Sequence, residues 1–186
     1  GRLKAPVLII CPTSLLGNWQ QEAERFTPDL RVLQVYGSKR AHLFENLTDY
    51  DLLVTTYPLI VRDIAVYQRF KFSLVVLDEA QHIKNSGSQA AQSVRLLKAD
   101  FRLALSGTPL ENHLGELKSL FDFVLPGLLG TEQHFNQVYR KPIEKQADQE
   151  RANALKQKIA PFILRRTKSQ VATELPEKTE ILQLLE

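Results

Sequence analysis

The sequence has 186 residues, 44% of them hydrophobic and 24% charged, a composition typical of a globular domain with a core of its own. Its single cysteine, Cys11, excludes an internal disulfide and a cysteine-based zinc site, and no apolar run approaches the roughly 20 residues of a transmembrane helix. The net charge of +3 is too small to indicate a nucleic-acid partner by itself, although residues 138–178 hold ten Lys or Arg against five Asp or Glu.

The first hundred residues alternate short apolar runs with amphipathic segments, a pattern that predicts βα units around a parallel sheet. Most of the runs are continuously apolar, as strands buried on both faces are. Five runs are predicted strands: Val7 to Cys11, Arg31 to Tyr36, Asp51 to Thr55, Ser73 to Asp78 and Phe101 to Ser106.

Helices are predicted between these strands. One carries Leu15, Trp19, Ala23 and Phe26 on a single face, and we interpret Trp19 and Phe26 as core residues rather than base-stacking platforms. Another carries Ala90, Val94 and Leu97 behind a capping box formed by Ser86 and Gln89.

After Pro109 the alternation stops, and helical patterns predict an appendage to the sheet. One helix is predicted over 114–124, and a second over about 148–160 with Leu155 and Ile159 inward and Pro161 at its end. Residues 179–185 are predicted to form a last strand. The expected fold class is therefore α/β, a parallel sheet flanked by helices with a helical appendage.

Two adjacent carboxylates, Asp78 and Glu79, end an apolar predicted strand. In an open α/β sheet, the carboxyl ends of the strands form the edge where ligands bind. There Asp78 can reach Mg²⁺ through water, while Glu79 can orient and deprotonate a water molecule that attacks a γ-phosphate. An Asp-Glu pair after a strand is common, so its meaning depends on the motifs around it.

Three other predicted strands also lead into polar motifs. These motifs are Pro12-Thr13-Ser14-Leu15-Leu16-x-Asn18-Trp19-Gln20, Thr56-Tyr57-Pro58 and Ser106-Gly107-Thr108-Pro109-Leu110-Glu111-Asn112. In this order and spacing, these three motifs resemble motifs Ia, Ib and III of helicase superfamily two, and the Asp78 segment resembles motif II. Three flanking segments are similar to those of the Swi/Snf-type ATPases. They are Gln81-His82-Ile83-Lys84-Asn85, Pro161-Phe162-Ile163-Leu164-Arg165-Arg166-Thr167-Lys168 and Leu175-Pro176-x-Lys178.

The resemblance implies a first RecA-like lobe over residues 1–111, a helical protrusion and return segment over 112–170, and a closing strand leading toward a second lobe over 171–186. The sequence contains no Gly-Lys-Ser or Gly-Lys-Thr loop for the ATP phosphates, and we interpret Tyr36-Gly37-Ser38-Lys39-Arg40 as a turn. We expect the phosphate loop to precede Gly1, and this chain alone not to hydrolyse ATP.

The family also implies roles for individual residues. Asp78, Glu79 and Gln81 are expected to bind ATP with Mg²⁺, and Asp78 and Glu79 to act in catalysis. Ser106, Gly107 and Thr108 are expected to couple nucleotide state to DNA contact, with Gly107 allowing a tight turn. Many relatives have histidine where this chain has Gln81, which puts histidine-mediated coupling in doubt.

The sugar-phosphate backbone of DNA is the expected ligand of a further set of residues: Pro12, Thr13, Ser14, Asn18, Thr55 and Thr56. Hydroxyls and unpaired N–H groups at a helix start suit a phosphate, and such contacts do not read sequence. Helix capping by the Ser and Thr side chains is the alternative explanation.

The implied function is ATP-dependent movement along duplex DNA, without necessarily separating its strands. Two alternatives remain open: an RNA or DNA helicase of the wider superfamily, and a non-catalytic scaffold lobe that binds DNA or a protein. Expected partners are DNA and the second RecA-like lobe, with RNA polymerase and other chromatin or nucleoid proteins as candidates, and no membrane. We expect an intracellular location: the cytoplasm or nucleoid in a bacterium, the nucleus in a eukaryote.

Overall fold

A computed structural model of the chain describes residues 5–107 and 114–166. Within these residues, five parallel strands form a sheet in the order β2-β3-β1-β4-β5. The strands are β1 (Val7–Cys11), β2 (Val32–Gln34), β3 (Leu52–Thr56), β4 (Lys71–Leu77) and β5 (Lys98–Ala104). Every predicted strand in the described ranges overlaps an observed one, so the predicted parallel α/β sheet is confirmed.

Helices follow the strands and form the appendage. The α-helices are α1 (Leu16–Phe26), α2 (Tyr57–Tyr67), α3 (Gln89–Arg95), α4 (Leu114–Val124), α5 (Glu132–Phe135), α6 (Lys141–Gln146) and α7 (Gln149–Ile159). Short 3-10 segments span Thr13–Leu15, Arg40–Asp49, Ala80–Ile83 and Ala160–Phe162, and Asn136–Arg140 is a π-helical turn. None of the helices in the described ranges is long and apolar enough to cross a membrane.

Apolar side chains cover both faces of the central strands. Along β1, Leu8 and Ile10 belong to one buried cluster, whereas Ile9 and Cys11 belong to another. This division follows from the strand geometry, because successive side chains point to opposite sides of a sheet. A strand that is buried on both sides must be apolar throughout, which explains the continuous apolar runs in the sequence.

The β5 edge of the sheet is less well covered. In the described part of the chain β5 pairs with β4 alone, and Phe101, Leu103 and Leu105 are 73%, 44% and 37% exposed. Phe101 and Leu103 alternate along β5, Leu105 follows its last residue at the same spacing, and the three therefore share a face. Parallel sheets normally have both faces covered, so this half of the sheet presents an apolar surface where a further layer can pack.

The appendage has its own apolar cluster, which includes Leu155 and Ile159 of α7 as predicted. Helix α4 joins the two parts of the structure. Its Leu117 and Phe121 belong to the appendage cluster, while Leu120 and Phe123 pack in the cluster beneath the sheet. The appendage is therefore attached to the sheet through a shared, buried helix.

Three local predictions are decided by these helices and turns. The capping box of Ser86 and Gln89 is wrong, because α3 begins at Gln89 and its cap is Ser88, whose hydroxyl accepts from Ala91 N at 3.2 Å. Phe26, predicted inward, is exposed at the last position of α1. Gly37 has φ +89°, which confirms a turn there. The strand predicted over 179–185 lies outside the described residues.

Candidate active site at the carboxyl edge of the sheet

The strands that precede the predicted motifs end at the same edge. Cys11 of β1 pairs in register with Thr56 of β3, and Leu77 of β4 pairs with Ile10 on one side and Ala104 on the other. The residues that follow these strands therefore lie side by side. The register brings the start of α1, the start of α2, the two acids and Ser106 to one edge, as the sequence predicted.

Asp78 extends β4 by one residue and is held on several sides. Its backbone N–H donates to Ile10 O at 2.8 Å, and its carbonyl accepts from the Tyr57 hydroxyl at 2.8 Å. One carboxylate oxygen, Oδ1, accepts from the backbone N–H of Glu79 at 2.9 Å. The other, Oδ2, accepts from Trp19 Nε1 at 2.8 Å. These bonds orient a half-buried carboxylate toward the sheet edge.

Glu79 adopts a left-handed backbone conformation, with φ 50° and ψ 54°. For a residue with a side chain this conformation costs about 1–2 kcal/mol, and such residues cluster at functional sites. The turn is held by Leu105, the residue after β5, because Ala80 N donates to Leu105 O and Leu105 N donates to Leu77 O, both at 2.8 Å. The fold thus stabilises a conformation of Glu79 that the local sequence disfavours.

Gln81 lies between Glu79 and Ser106. Its Nε2 donates to Glu79 Oε2 at 2.7 Å, and its Oε1 accepts from the Ser106 hydroxyl at 3.2 Å. The amide group therefore links the predicted catalytic acid to the predicted coupling segment. Gly107 is exposed, its φ lies outside the left-handed region, and an added Cβ would meet nothing within 4 Å. The backbone at Gly107 therefore does not require a glycine, contrary to the prediction. Thr108 lies outside the described residues.

Two aromatic residues contact Asp78 at this site, Trp19 and Tyr57, whereas the sequence predicted Trp19 only as a core residue and gave Tyr57 no role of its own. The Tyr57 ring is buried and stacks on His82, with 4.6 Å between ring centroids and 22° between planes. Burial, followed by the charge of Asp78, raises the pKa of Tyr57, so its hydroxyl stays protonated and can donate. The sequence did hold a signal, since buried Trp and Tyr usually find a partner for their polar group.

The residues predicted to contact DNA separate into exposed and buried groups. Thr13, Ser14 and Asn18 are exposed and Pro12 is half-buried, in the 3-10 turn and first turn of α1. Neither of these helical segments has a side-chain hydrogen bond at its N-cap, because the cap residues are Pro12 and Leu15. Capping therefore does not explain Thr13 and Ser14.

Thr55 and Thr56 are 0% and 1% exposed, so the expectation that their hydroxyls emerge at the edge is wrong. Both belong to β3, a central strand with apolar neighbours on each face. The Thr55 hydroxyl donates to Val35 O at 2.9 Å and is therefore used within the fold. Thr56 is the N-cap of α2 without a capping bond from its side chain.

The carboxylates of Asp78 and Glu79 suit Mg²⁺ better than they suit a metal ion whose ligands all come from the protein. In the described part of the chain, no three His, Cys, Asp or Glu side chains lie close enough together to hold a metal ion. Mg²⁺ in phosphoryl-transfer sites keeps several waters and is held by one or two carboxylates and the substrate phosphates. Asp78, oriented by two N–H donors with Glu79 next in the chain, fits that requirement.

Comparison with known proteins identifies this arrangement. The family model for the SNF2-related domain matches residues 2–186. The chain is 46% identical to YwqA of Bacillus subtilis, whose name assigns it to the ATP-dependent helicase/translocases, over 97% of the chain and 20% of YwqA. It is 41% identical to the TATA-binding protein-associated factor MOT1 of Saccharomyces cerevisiae, over 93% of the chain and 10% of MOT1.

A solved structure shows the same fold. The SWI2/SNF2 ATPase core of Sulfolobus solfataricus in complex with double-stranded DNA superposes with a TM-score of 0.83 at 40% identity, over 90% of this chain and 35% of that one. The chain thus spans only a fraction of the length of the relatives that it matches. The RecA-like fold and the resemblance of the motifs are confirmed, and the chain belongs to the SNF2-related domain family.

Proposed function

We propose that this lobe carries the hydrolytic acids of an ATP-dependent translocase that moves along duplex DNA. The observation that carries the proposal is the Asp78–Glu79 turn, whose carboxylates are held by N–H donors at the edge where the 3-10 turn before α1 exposes Thr13 and Ser14. The SWI2/SNF2 ATPase core, which was solved with double-stranded DNA, favours duplex DNA as the track.

Asp78 and Glu79 divide the chemistry. Asp78 would hold Mg²⁺, which would supply neutralisation of the negative charge on the ATP phosphates. Glu79 orients the attacking water and accepts its proton. Gln81 holds Glu79 Oε2 at 2.7 Å, and we assign the second carboxylate oxygen to the water. The left-handed backbone of Glu79 sets the direction in which this carboxylate leaves the strand.

The ATP phosphates require a glycine-rich loop that these 186 residues do not contain. We place that loop beside β5, wherever in the protein it is encoded. The exposed apolar face of Phe101, Leu103 and Leu105 supports this position, because an added strand and its helix would cover it. The loop would then lie near the Asp78–Glu79 turn, with only β5 between its strand and β4.

Thr13, Ser14 and Asn18 are the proposed contacts to the DNA backbone. They are exposed on the same edge as the acids and lie at a helix start, the kind of position that suits an anion because the first N–H groups of a helix lack α-helical partners. Contacts of this kind hold phosphates without reading bases, so we propose binding that is independent of sequence and weakens steeply with salt. Thr55 and Thr56 would support this edge from beneath rather than touch DNA.

The decisive experiment replaces Glu79 in the full-length protein. With duplex DNA present, Glu79→Gln should lower ATP hydrolysis by about 10²- to 10⁴-fold, the usual contribution of a general base. Binding of a fluorescent ATP analogue should stay within a few-fold of wild type, since glutamine keeps the size of the side chain. Glu144→Gln is the matched control, because Glu144 pairs with Arg140 on the appendage surface.

Activation should be compared for duplex DNA and RNA in the same assay. Hydrolysis by Glu79→Gln at near the wild-type rate would contradict the role of Glu79. Stronger activation by RNA than by duplex DNA would contradict the proposed track and favour a helicase of the wider superfamily.

A further inference from the structure

The tryptophan of this chain makes a direct contact with the proposed metal ligand. Trp19 Nε1 lies 2.8 Å from Asp78 Oδ2, across 59 residues of sequence. The indole ring packs against the buried cluster that includes Ile9 and Cys11 of β1, so its position is set by the sheet as well as by α1. A rigid, packed ring therefore presents its N–H group to one oxygen of the carboxylate.

Packing alone does not explain this contact. An indole N–H at the rim of a core can be satisfied by water or by a backbone carbonyl, whereas a bond to a carboxylate is about twice as strong as a neutral one. Asp78 receives one N–H at each oxygen, from Trp19 at Oδ2 and from the Glu79 backbone at Oδ1. A carboxylate has about four acceptor sites, so both oxygens keep capacity for water molecules bound to a metal.

The proposed DNA contacts lie at the start of the same helix and in the turn before it. Thr13 and Ser14 lie in the 3-10 turn directly before α1, and Asn18 precedes Trp19 in its first turn. Gln34 Nε2 donates to Leu16 O at 3.2 Å and attaches the start of this helix to β2. Because Trp19 lies in the first turn of α1, a shift of this helix start would move the indole relative to Asp78.

We propose that Trp19 is a positioning residue for the metal site, whose indole N–H holds the Asp78 carboxylate in the orientation that receives Mg²⁺. Through α1 it joins that carboxylate to the surface that carries Thr13, Ser14 and Asn18. The proposal rests on the proposed function of Asp78, and adds to it a direct link between the DNA-facing helix and the metal ligand.

The first test observes the hydrogen bond itself. In full-length protein labelled with ¹⁵N at the tryptophan indoles, the Trp19 signal is the one lost in Trp19→Phe. We expect this signal to lie downfield and to move upfield in Asp78→Asn, whose neutral side chain is a weaker acceptor. Glu79→Gln is the matched control and should move it much less. A signal that does not respond to Asp78→Asn would overturn the proposal.

The second test measures how ATP hydrolysis depends on Mg²⁺ at a fixed ATP concentration. Trp19→Phe keeps most of the ring packing but removes the donor, and should raise the half-saturating Mg²⁺ concentration by about threefold to tenfold. The ratio of DNA-stimulated to basal hydrolysis should fall with it. Ala23→Gly weakens the same helix one turn later and should lower the melting temperature without changing the Mg²⁺ dependence.

The outcomes separate this inference from the proposed function. ATP hydrolysis by Glu79→Gln at near the wild-type rate would overturn the proposed function. An inactive Glu79→Gln variant together with an unchanged or lower half-saturating Mg²⁺ concentration in Trp19→Phe would leave that function in place and overturn the role of Trp19. Should Trp19→Phe fail to fold, the comparison of wild type with Asp78→Asn decides the proposal without an assignment, because the absence of any indole signal that moves upfield would overturn it.

Discussion

Replacing Gln81 by alanine removes the side chain between the Glu79 carboxylate and the Ser106 hydroxyl. The bond to Glu79 is 2.7 Å long and charge-assisted, and the bond from Ser106 is a longer, exposed contact of 3.2 Å between neutral groups. We expect Gln81→Ala to leave the turn intact but to free the Glu79 carboxylate from its orientation. The rate of hydrolysis should fall more than the affinity for ATP.

The magnitude follows from these two bonds. A hydrogen bond to a charged group contributes about 1.5–3 kcal/mol, and a neutral one about 0.5–1.5 kcal/mol. Gln81 is half-buried, so water replaces part of the lost bond, and the lower end of the first range applies. Since about 1.4 kcal/mol is a factor of ten in rate, we expect roughly a tenfold loss in kcat.

The assay is DNA-stimulated and basal ATP hydrolysis by the full-length protein carrying Gln81→Ala, Ser106→Ala or both. Because Gln81 bridges the two segments, the double mutant should lose less than the sum of the single mutants, with a coupling energy of about 0.5–1.5 kcal/mol. Gln92→Ala is the matched control, an exposed glutamine on α3 that donates to Gly87 O. A kcat for Gln81→Ala within twofold of wild type, or strictly additive losses, would refute the reasoning.

Three further predictions concern DNA contact, stability and pH. Thr13→Ala/Ser14→Ala should lower the ratio of DNA-stimulated to basal hydrolysis while leaving the melting temperature nearly unchanged, and an unchanged ratio would count against DNA contact. Arg40→Ala should destabilise the fold by about 3–5 kcal/mol, because the Asp63 side chain, only 12% exposed, would lose its ion-pair partner. The measurement is the midpoint of thermal unfolding, which should fall strongly, and a loss of stability below about 1 kcal/mol would contradict this prediction. Burial, followed by the charge of Asp78, raises the pKa of the Cys11 thiol from 9.0 to about 12. The protonated thiol therefore favours the folded state below pH 9. This contribution is lost as the pH rises toward 12, because the thiol of the unfolded chain ionises first. Iodoacetamide at pH 9 should therefore label Cys11 only after unfolding, and rapid labelling of the native protein would contradict that burial.

The sequence alone determined the sheet and the identity of its main acids. Apolar runs such as Val7–Cys11 predict buried parallel strands, because a strand covered on both faces has no polar side. The Asp78–Glu79 pair could be placed at the ligand edge because the carboxyl ends of parallel strands lie together. The order of the motifs then indicated the family, which the comparisons confirm.

Only the tertiary structure decided how the acids are held and which hydroxyls are exposed. Trp19 and Tyr57 reach Asp78 across 59 and 21 residues, and Glu79 takes a left-handed backbone between β4 and β5. Thr55 resembles Thr13 in sequence, as a hydroxyl at the end of a strand, but is fully buried. These differences depend on strand register and helix placement, which long-range packing sets and the pattern around one residue does not record.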